Sequence, residues 1–174
     1  VSRRQNRLAE ARKYLEEAVQ HQQAVLAKDP RHLTYELWLA MHYQQLAETL
    51  TQLREWEAAI EIHKQQIAFY HARATNYDKR QHWNNLAASY QRLALIYEQV
   101  GREREAAQAY GAAAAWFEKL VAEERAYKDT NQSLVAIYGN HAMLLARCAD
   151  PQLRDSGRAL ELAHKALKLG PEDP

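Results

Sequence analysis

The sequence predicts an all-α fold, an αα-solenoid of antiparallel helix pairs with about seven helices. Two observations carry that prediction. Tyr43, Tyr90 and Tyr138 recur 47 and 48 residues apart, each inside a similar apolar stripe. Around the first stand Leu39-Ala40, Leu46-Ala47 and Leu50; around the second, Leu86-Ala87, Leu93-Ala94 and Tyr97; around the third, Leu134-Val135, His141-Ala142 and Leu145. Apolar residues at i, i+3, i+4 and i+7 share one side of a helix, and a fixed period marks one unit stacked on copies of itself. The second observation is negative: valine is thin and no segment alternates polar with apolar, so strands have no foothold.

Seven helices are expected in order. The first runs from about Arg3 to Lys28, stopped at Asp29-Pro30 because proline disfavours helix in the residue before it. The second, about His32 to Leu53, carries the first stripe. A third spans about Glu55 to Thr75, closed by the polar break Asn76-Tyr77-Asp78. The fourth, about Lys79 to Val100, ends at Gly101, a residue suited to a left-handed cap. The fifth covers about Glu103 to Ala126 and the sixth about Asn131 to Ala149. Asp150-Pro151 interrupts the chain, and a seventh helix runs from about Ser156 to Leu169 before Gly170-Pro171. Short connections make neighbouring helices antiparallel. No linker divides the 174 residues, so the expectation is one domain: a half repeat at 1–30, repeats at 31–77 and 78–127, and a last repeat with its C-terminal cap at 128–174.

Charge and composition exclude several classes. With 23 Lys plus Arg against 22 Asp plus Glu, no surface is given over to a polyanion, and nucleic acid is not an expected partner. The basic run Arg3, Arg4, Arg7, Arg12 and Lys13 reads as a solvated helix end or a contact to something preceding it. No apolar run reaches membrane-spanning length, so no membrane is expected. The single Cys148 cannot close an internal disulfide, which suits a reducing compartment, and the expected location is cytoplasmic. The opening at Val1 and the incomplete first repeat suggest a piece of a longer protein.

No catalytic constellation emerges. The five glycines are isolated, so no Gly-rich phosphate loop is present. A lone cysteine excludes paired-cysteine zinc sites. The single Glu-x-x-His, Glu161 to His164, lacks the second motif of a di-iron bundle and reads as a solvated helix face. His63 and His71 read as two surface imidazoles, and His141 as a packed histidine bonded to a neighbouring helix. Trp38, Trp83 and Trp116 lie on the apolar stripes and are assigned to the core, with Trp56, at a helix start, the most exposed aromatic. The expectation is a chain with no catalysis, cofactor or metal.

Each helix pair resembles a tetratricopeptide repeat. The middle pair fits best, with Tyr90, Leu93-Ala94, Tyr97, Gly101, Ala106, Tyr110 and Ala113 at the family's positions. The pair before it has Tyr43, Leu46-Ala47, Leu50 and Ala59, with Arg54 at the glycine position. The pair after it keeps Tyr138, Ala142 and Leu145, puts His141 for leucine, inserts about five residues around Asp150–Arg154, and resumes at Ala159, Ala163 and Ala166. The ordinary repeat has about 34 residues, fewer than here. In its length, and in phrases such as LAxxYxxLAxxY and GRxxEAxxAY, the chain is similar to long repeats C-terminal to the catalytic domain of bacterial serine/threonine protein kinases. The resemblance implies a right-handed solenoid whose first helix in each pair lines a concave face.

On that face the expected partner-binding residues are Gln44, Glu48 and Gln52, then Asn84, Gln91, Arg92 and Gln99, then Asn140, Met143 and Arg147. Amides and guanidinium groups at helical spacing bind an extended peptide through its backbone and acidic side chains. The expected function is recruitment of a protein or peptide partner for a larger signalling protein. The alternative is self-association that sets the parent's oligomeric state. Asn140 falls where a carboxylate-gripping tetratricopeptide domain has one asparagine, but Leu95 or Met143 occupies the other such position, so that clamp is incomplete.

Overall fold

The computed structural model describes residues 3–73, 79–123 and 130–170. Among them are seven helices and no strand: α1 (Arg3–Lys28), α2 (Leu33–Leu53), α3 (Trp56–Arg73), α4 (Lys79–Gln99), α5 (Glu103–Ala122), α6 (Thr130–Arg147) and α7 (Ser156–Leu169). The all-α expectation holds, and most helix ends fall within two residues of those read from sequence. The exception is α5, which ends at Ala122 with Glu123 as its cap instead of running to about Ala126. The break at Asn76–Asp78, the expected helix ends at Thr75 and Ala126, and the stop residue Pro171 lie outside the described residues.

The chain divides into two compact units, Val1–Gln66 and Ile67–Pro174. In the first, α1 packs on α2. Val19 and Leu26 meet a stripe of Leu39, Tyr43, Leu46, Ala47 and Leu50, all buried. Burying a leucine contributes about 1.5–3 kcal/mol, so this stripe fixes which side of α2 turns inward. In the second unit α4 packs on α5, α5 on α6 and α6 on α7. Its core is Leu86, Leu93, Ile96, Phe117, Leu120, Leu134 and Ile137 around the fully buried Tyr110. Ala87, Ala94, Ala106 and Ala113 are 0% exposed: side chains no larger than a methyl let the helices approach closely.

The period seen in sequence is present in the hydrogen bonds. At the end of α2, Arg54 N–H donates to Thr51 O (3.1 Å), Glu55 N–H to Leu50 O (2.9 Å) and Ala59 N–H to Glu55 O (2.9 Å). The end of α4 repeats this, with Gly101 to Glu98 (3.1 Å), Arg102 to Tyr97 (2.8 Å) and Ala106 to Arg102 (3.0 Å). The chain reverses through a left-handed residue in both, Arg54 at φ 60° and Gly101 at φ 73°. After α6 the same pattern returns stretched by five residues: Asp155 N–H donates to Leu145 O (3.0 Å) and Ala159 N–H to Asp155 O (2.9 Å). The expected insertion is therefore a loop, tied by Asp150, which accepts from Gln152 N–H (2.9 Å) and from Arg104 (2.6 Å). Asp155 then caps α7 by accepting from Arg158 N–H (2.8 Å).

The three marker tyrosines also have equivalent partners. Gln23 donates its amide to the Tyr43 hydroxyl (2.7 Å), His71 Nε2 lies 3.1 Å from that of Tyr90, and Tyr138 donates to Glu118. Gln23, His71 and Glu118 are themselves 48 and 47 residues apart. Each hydroxyl thus emerges from the packed interior beside a polar group of the preceding helix, which removes the cost of an unpaired phenol.

Several side chains sit differently from the sequence expectation. Trp38 is 45% exposed, not core, because Leu39 and Tyr43 take the inward side of α2. Trp116 is half-buried against Trp83 and His71, and only Trp83 is fully buried as expected. Trp56 is half-buried, and among the described residues Tyr14 (73% exposed) and Trp38 are the more exposed aromatics instead. His63 is no surface imidazole: it is 3% exposed, with Nδ1 3.3 Å from the Gln66 amide oxygen. His71 is exposed, as expected.

Candidate functional site

The expected binding residues all lie on α2, α4 and α6, the first helix of each pair. In the first unit Gln44, Glu48 and Gln52 are exposed along α2. Glu48 accepts from Gln52 (3.5 Å), and Gln52 accepts from Arg4 (3.5 Å). Glu48 and Gln52 line a hollow of about 400 Å³ with Gln45, Thr49 and, from α1, Ala11, Tyr14 and Leu15.

In the second unit Arg92, Gln99, Met143 and Arg147 are exposed, and Asn84, Gln91 and Asn140 are half-buried. Gln99 and Arg147 line a common cleft, about 360 Å³ between the ends of α4 and α6. Leu95, Glu98, Gly101, Glu103 and Leu144 complete its walls. In repeat register Leu95 corresponds to Glu48, and Gln99 to Gln52. The hollow on α2 and the cleft on α4 are therefore formed at the same repeat positions with different chemistry.

Glu98 organises the cleft, and sequence reasoning passed it over. The Tyr110 hydroxyl donates to one of its carboxylate oxygens, and Arg147 approaches the other at 3.3 Å. Burial first, and then the Glu98 carboxylate, hold the Tyr110 phenol far above its ordinary range, so it stays a donor at every physiological pH. The Arg147 pair is exposed on the arginine side (68%) and contributes little stability. It leaves most of the planar guanidinium fork facing solvent, where it can take a second carboxylate. One signal in the sequence pointed here: Glu98 is the only acidic residue in α4, and Arg147 is the only Lys or Arg in α6.

Glu161 pairs with Arg158 (2.7 Å) on an exposed face, consistent with a solvated helix surface. Among the described residues, no group of three or more His, Cys, Asp or Glu is placed to hold a metal ion. Burial pushes the Cys148 thiol up, away from the reactive thiolate. No described helix is long and apolar enough to cross a membrane. Arg12 of the basic N-terminal run is held by Glu16 and Glu55, both at 2.8 Å.

These features define the class: an all-α, helical repeat-like protein whose first helices carry polar, partly open faces. No family model matches the sequence, and no curated protein matches it. Among solved structures it is similar to the crystal structure of BtubC (BKLC) from P. vanneervenii, with a TM-score of 0.60 and 21% identity. The match covers 93% of this chain and 56% of the other, so this chain spans little more than half of that protein's length. At such identity the likeness concerns the fold alone.

Proposed function

We propose that this chain is a tetratricopeptide-like, non-catalytic interaction module that recruits a protein or peptide partner. The partner lies against the exposed faces of the first helices, within a larger, cytoplasmic bacterial signalling protein such as a serine/threonine kinase. The observation that carries this reading is the α4–α6 cleft. It joins an exposed apolar residue (Leu95, 42%) to an amide (Gln99) and a half-committed guanidinium (Arg147). That combination suits an extended peptide carrying one apolar and one acidic side chain. The length of the repeat and its phrases support the kinase context through the resemblance alone.

The test is a capture experiment with the parent protein, comparing wild type with the double variant Gln99→Ala/Arg147→Ala. Both side chains are exposed, so folding should persist. A partner retained by wild type and lost by the variant supports recruitment. A parent that works fully with the double variant, and loses no partner, overturns it.

A second reading is self-association. Leu33 (73%), Leu37 (70%), Trp38 and Met41 (46%) form an exposed apolar stretch on α2, larger than scattered surface leucines need. Light scattering across a range of concentrations separates the two readings: a concentration-independent monomer removes self-association.

A further inference from the structure

The third helix pair departs from the repeat in two ways that sequence treats as unrelated. His141 stands where Leu46 and Leu93 stand in the other pairs, and five residues are inserted after α6. Both departures fall on one pocket. A volume of about 430 Å³ is bounded by Arg104, Ala107 and Gln108 of α5, His141 and Leu145 of α6, Gln152 and Leu153 of the inserted loop, and the start of α7 at Asp155 and Arg158.

The chemistry of its walls is specific. Leu46 and Leu93 are 1% and 4% exposed and make ordinary core contacts. His141 is only half-buried: one ring face stacks on Tyr110 (centroids 5.9 Å, planes 26° apart), and the ring borders the pocket. No described residue hydrogen-bonds its nitrogens, in contrast to His63, His71 and His42, whose rings have side-chain partners. Burial, and then the charge of Arg158, holds its pKa below the ordinary value, so the ring is neutral and offers one donor and one acceptor.

The arginines are local to this turn as well. In register with the alanines that open each second helix, Arg104 corresponds to Glu57 and Gly157, and Arg158 to Ala58 and Glu105. The repeat itself therefore requires no positive charge at either place. Arg104 bonds Asp150 (2.6 Å) and Arg158 bonds Glu161 (2.7 Å), each through one terminal nitrogen, while both side chains remain at least half exposed. Such single-point surface pairs are weak and exchange readily for a bidentate carboxylate.

We infer that this pocket binds an acidic peptide segment, with a Glu or Asp carboxylate taken by Arg104 and Arg158 and the neighbouring peptide group hydrogen-bonded by His141, Gln108 and Gln152. Leu145, Leu153 and Ala107 supply the apolar floor. The inference does not rest on the recruitment reading and stands if the α4–α6 cleft binds nothing.

Side-chain NMR of the intact chain tests it directly. The probes are hexaglutamate, hexaglutamine and inorganic phosphate, read at the His141 imidazole, which is assigned by comparing spectra with His141→Asn. The expected result is a saturable His141 shift with hexaglutamate and none with hexaglutamine. Affinity should fall at least about tenfold in Arg104→Gln/Arg158→Gln, as the loss of charge-assisted bonds requires. These are exposed positions, and an unchanged melting temperature certifies the variant. Absence of a saturable shift, an equal response to hexaglutamine, or full binding by the double variant overturns the inference. So does saturation by phosphate without a response to the peptide. Unaltered binding in Gln99→Ala/Arg147→Ala separates this pocket from the cleft described above.

Discussion

The α2–α3 turn and the α4–α5 turn make the same three backbone hydrogen bonds, yet one passes through Arg54 and the other through Gly101. A left-handed conformation costs a residue with a side chain about 1–2 kcal/mol, and glycine nothing comparable. The chain accepts that cost in the first turn because burial anchors the helix that the turn leads into. Ala59 and Ala106, four residues past the equivalent Glu55 and Arg102, are both 0% exposed. The lesson is a hierarchy: the packed alanine sets the geometry of the turn, and the residue at its apex only tunes its energy. The third turn takes this further. It carries five extra residues and a polar His141, and still returns Ala159 to a buried position (7%) with the same capping bond.

The strongest way to break this comparison is Ala106→Trp. With no space between α4 and α5 at this point, the substitution is expected to cost at least about 3 kcal/mol and to unfold the second unit. Urea denaturation measures it, and an unchanged midpoint would show that the alanine register does not govern the fold. A smaller, opposite-signed pair sharpens the apex comparison. Gly101→Arg should destabilise by about 1–2 kcal/mol, and Arg54→Gly should stabilise by about 1 kcal/mol, since the two swap their left-handed strain. Equal effects of the same sign in thermal melts would refute the equivalence of the turns.

The smallest expected effect concerns the third pair. His141→Leu restores the repeat residue and should change the pH dependence more than the stability itself. The folded His141 has a lowered pKa, so the unfolded chain takes up its proton first as pH falls below about 6.5. The wild type therefore loses stability on acidification from pH 7.5 to 5.5, and His141→Leu should lose less, by up to about 1 kcal/mol. Melting both proteins at the two pH values provides the readout. An identical slope would mean that the imidazole does not titrate differently in the folded state.

Part of the candidate site was legible in the sequence. Gln99 and Arg147 line one cleft because helical spacing places them at corresponding ends of α4 and α6. The lone acid of α4 singled out Glu98, but its role was not legible: only its bond to Tyr110 shows that its carboxylate turns back toward α5. Trp38 misled for a related reason. An apolar residue beside a stripe reads as core, but Leu39 and Tyr43 already fill the inward side of α2. His63 misled in the opposite sense, because a polar residue at a helix-pair position reads as solvated unless a partner such as Gln66 is seen beside it.

The sequence alone determined the helices, most of their described ends, the 47- and 48-residue period and the length of the insertion after α6. Those depend on local backbone preference and on a periodic apolar pattern, both written along one dimension. Tertiary structure decided which polar side chains come together: Glu98 with Tyr110 and Arg147, Glu118 with Tyr138 and Lys165, and His141, Arg104 and Arg158 on the walls of one pocket. Such meetings depend on the rotation and depth at which one helix seats on the next. Burial of many apolar atoms settles that seating collectively, and no short stretch of sequence records it.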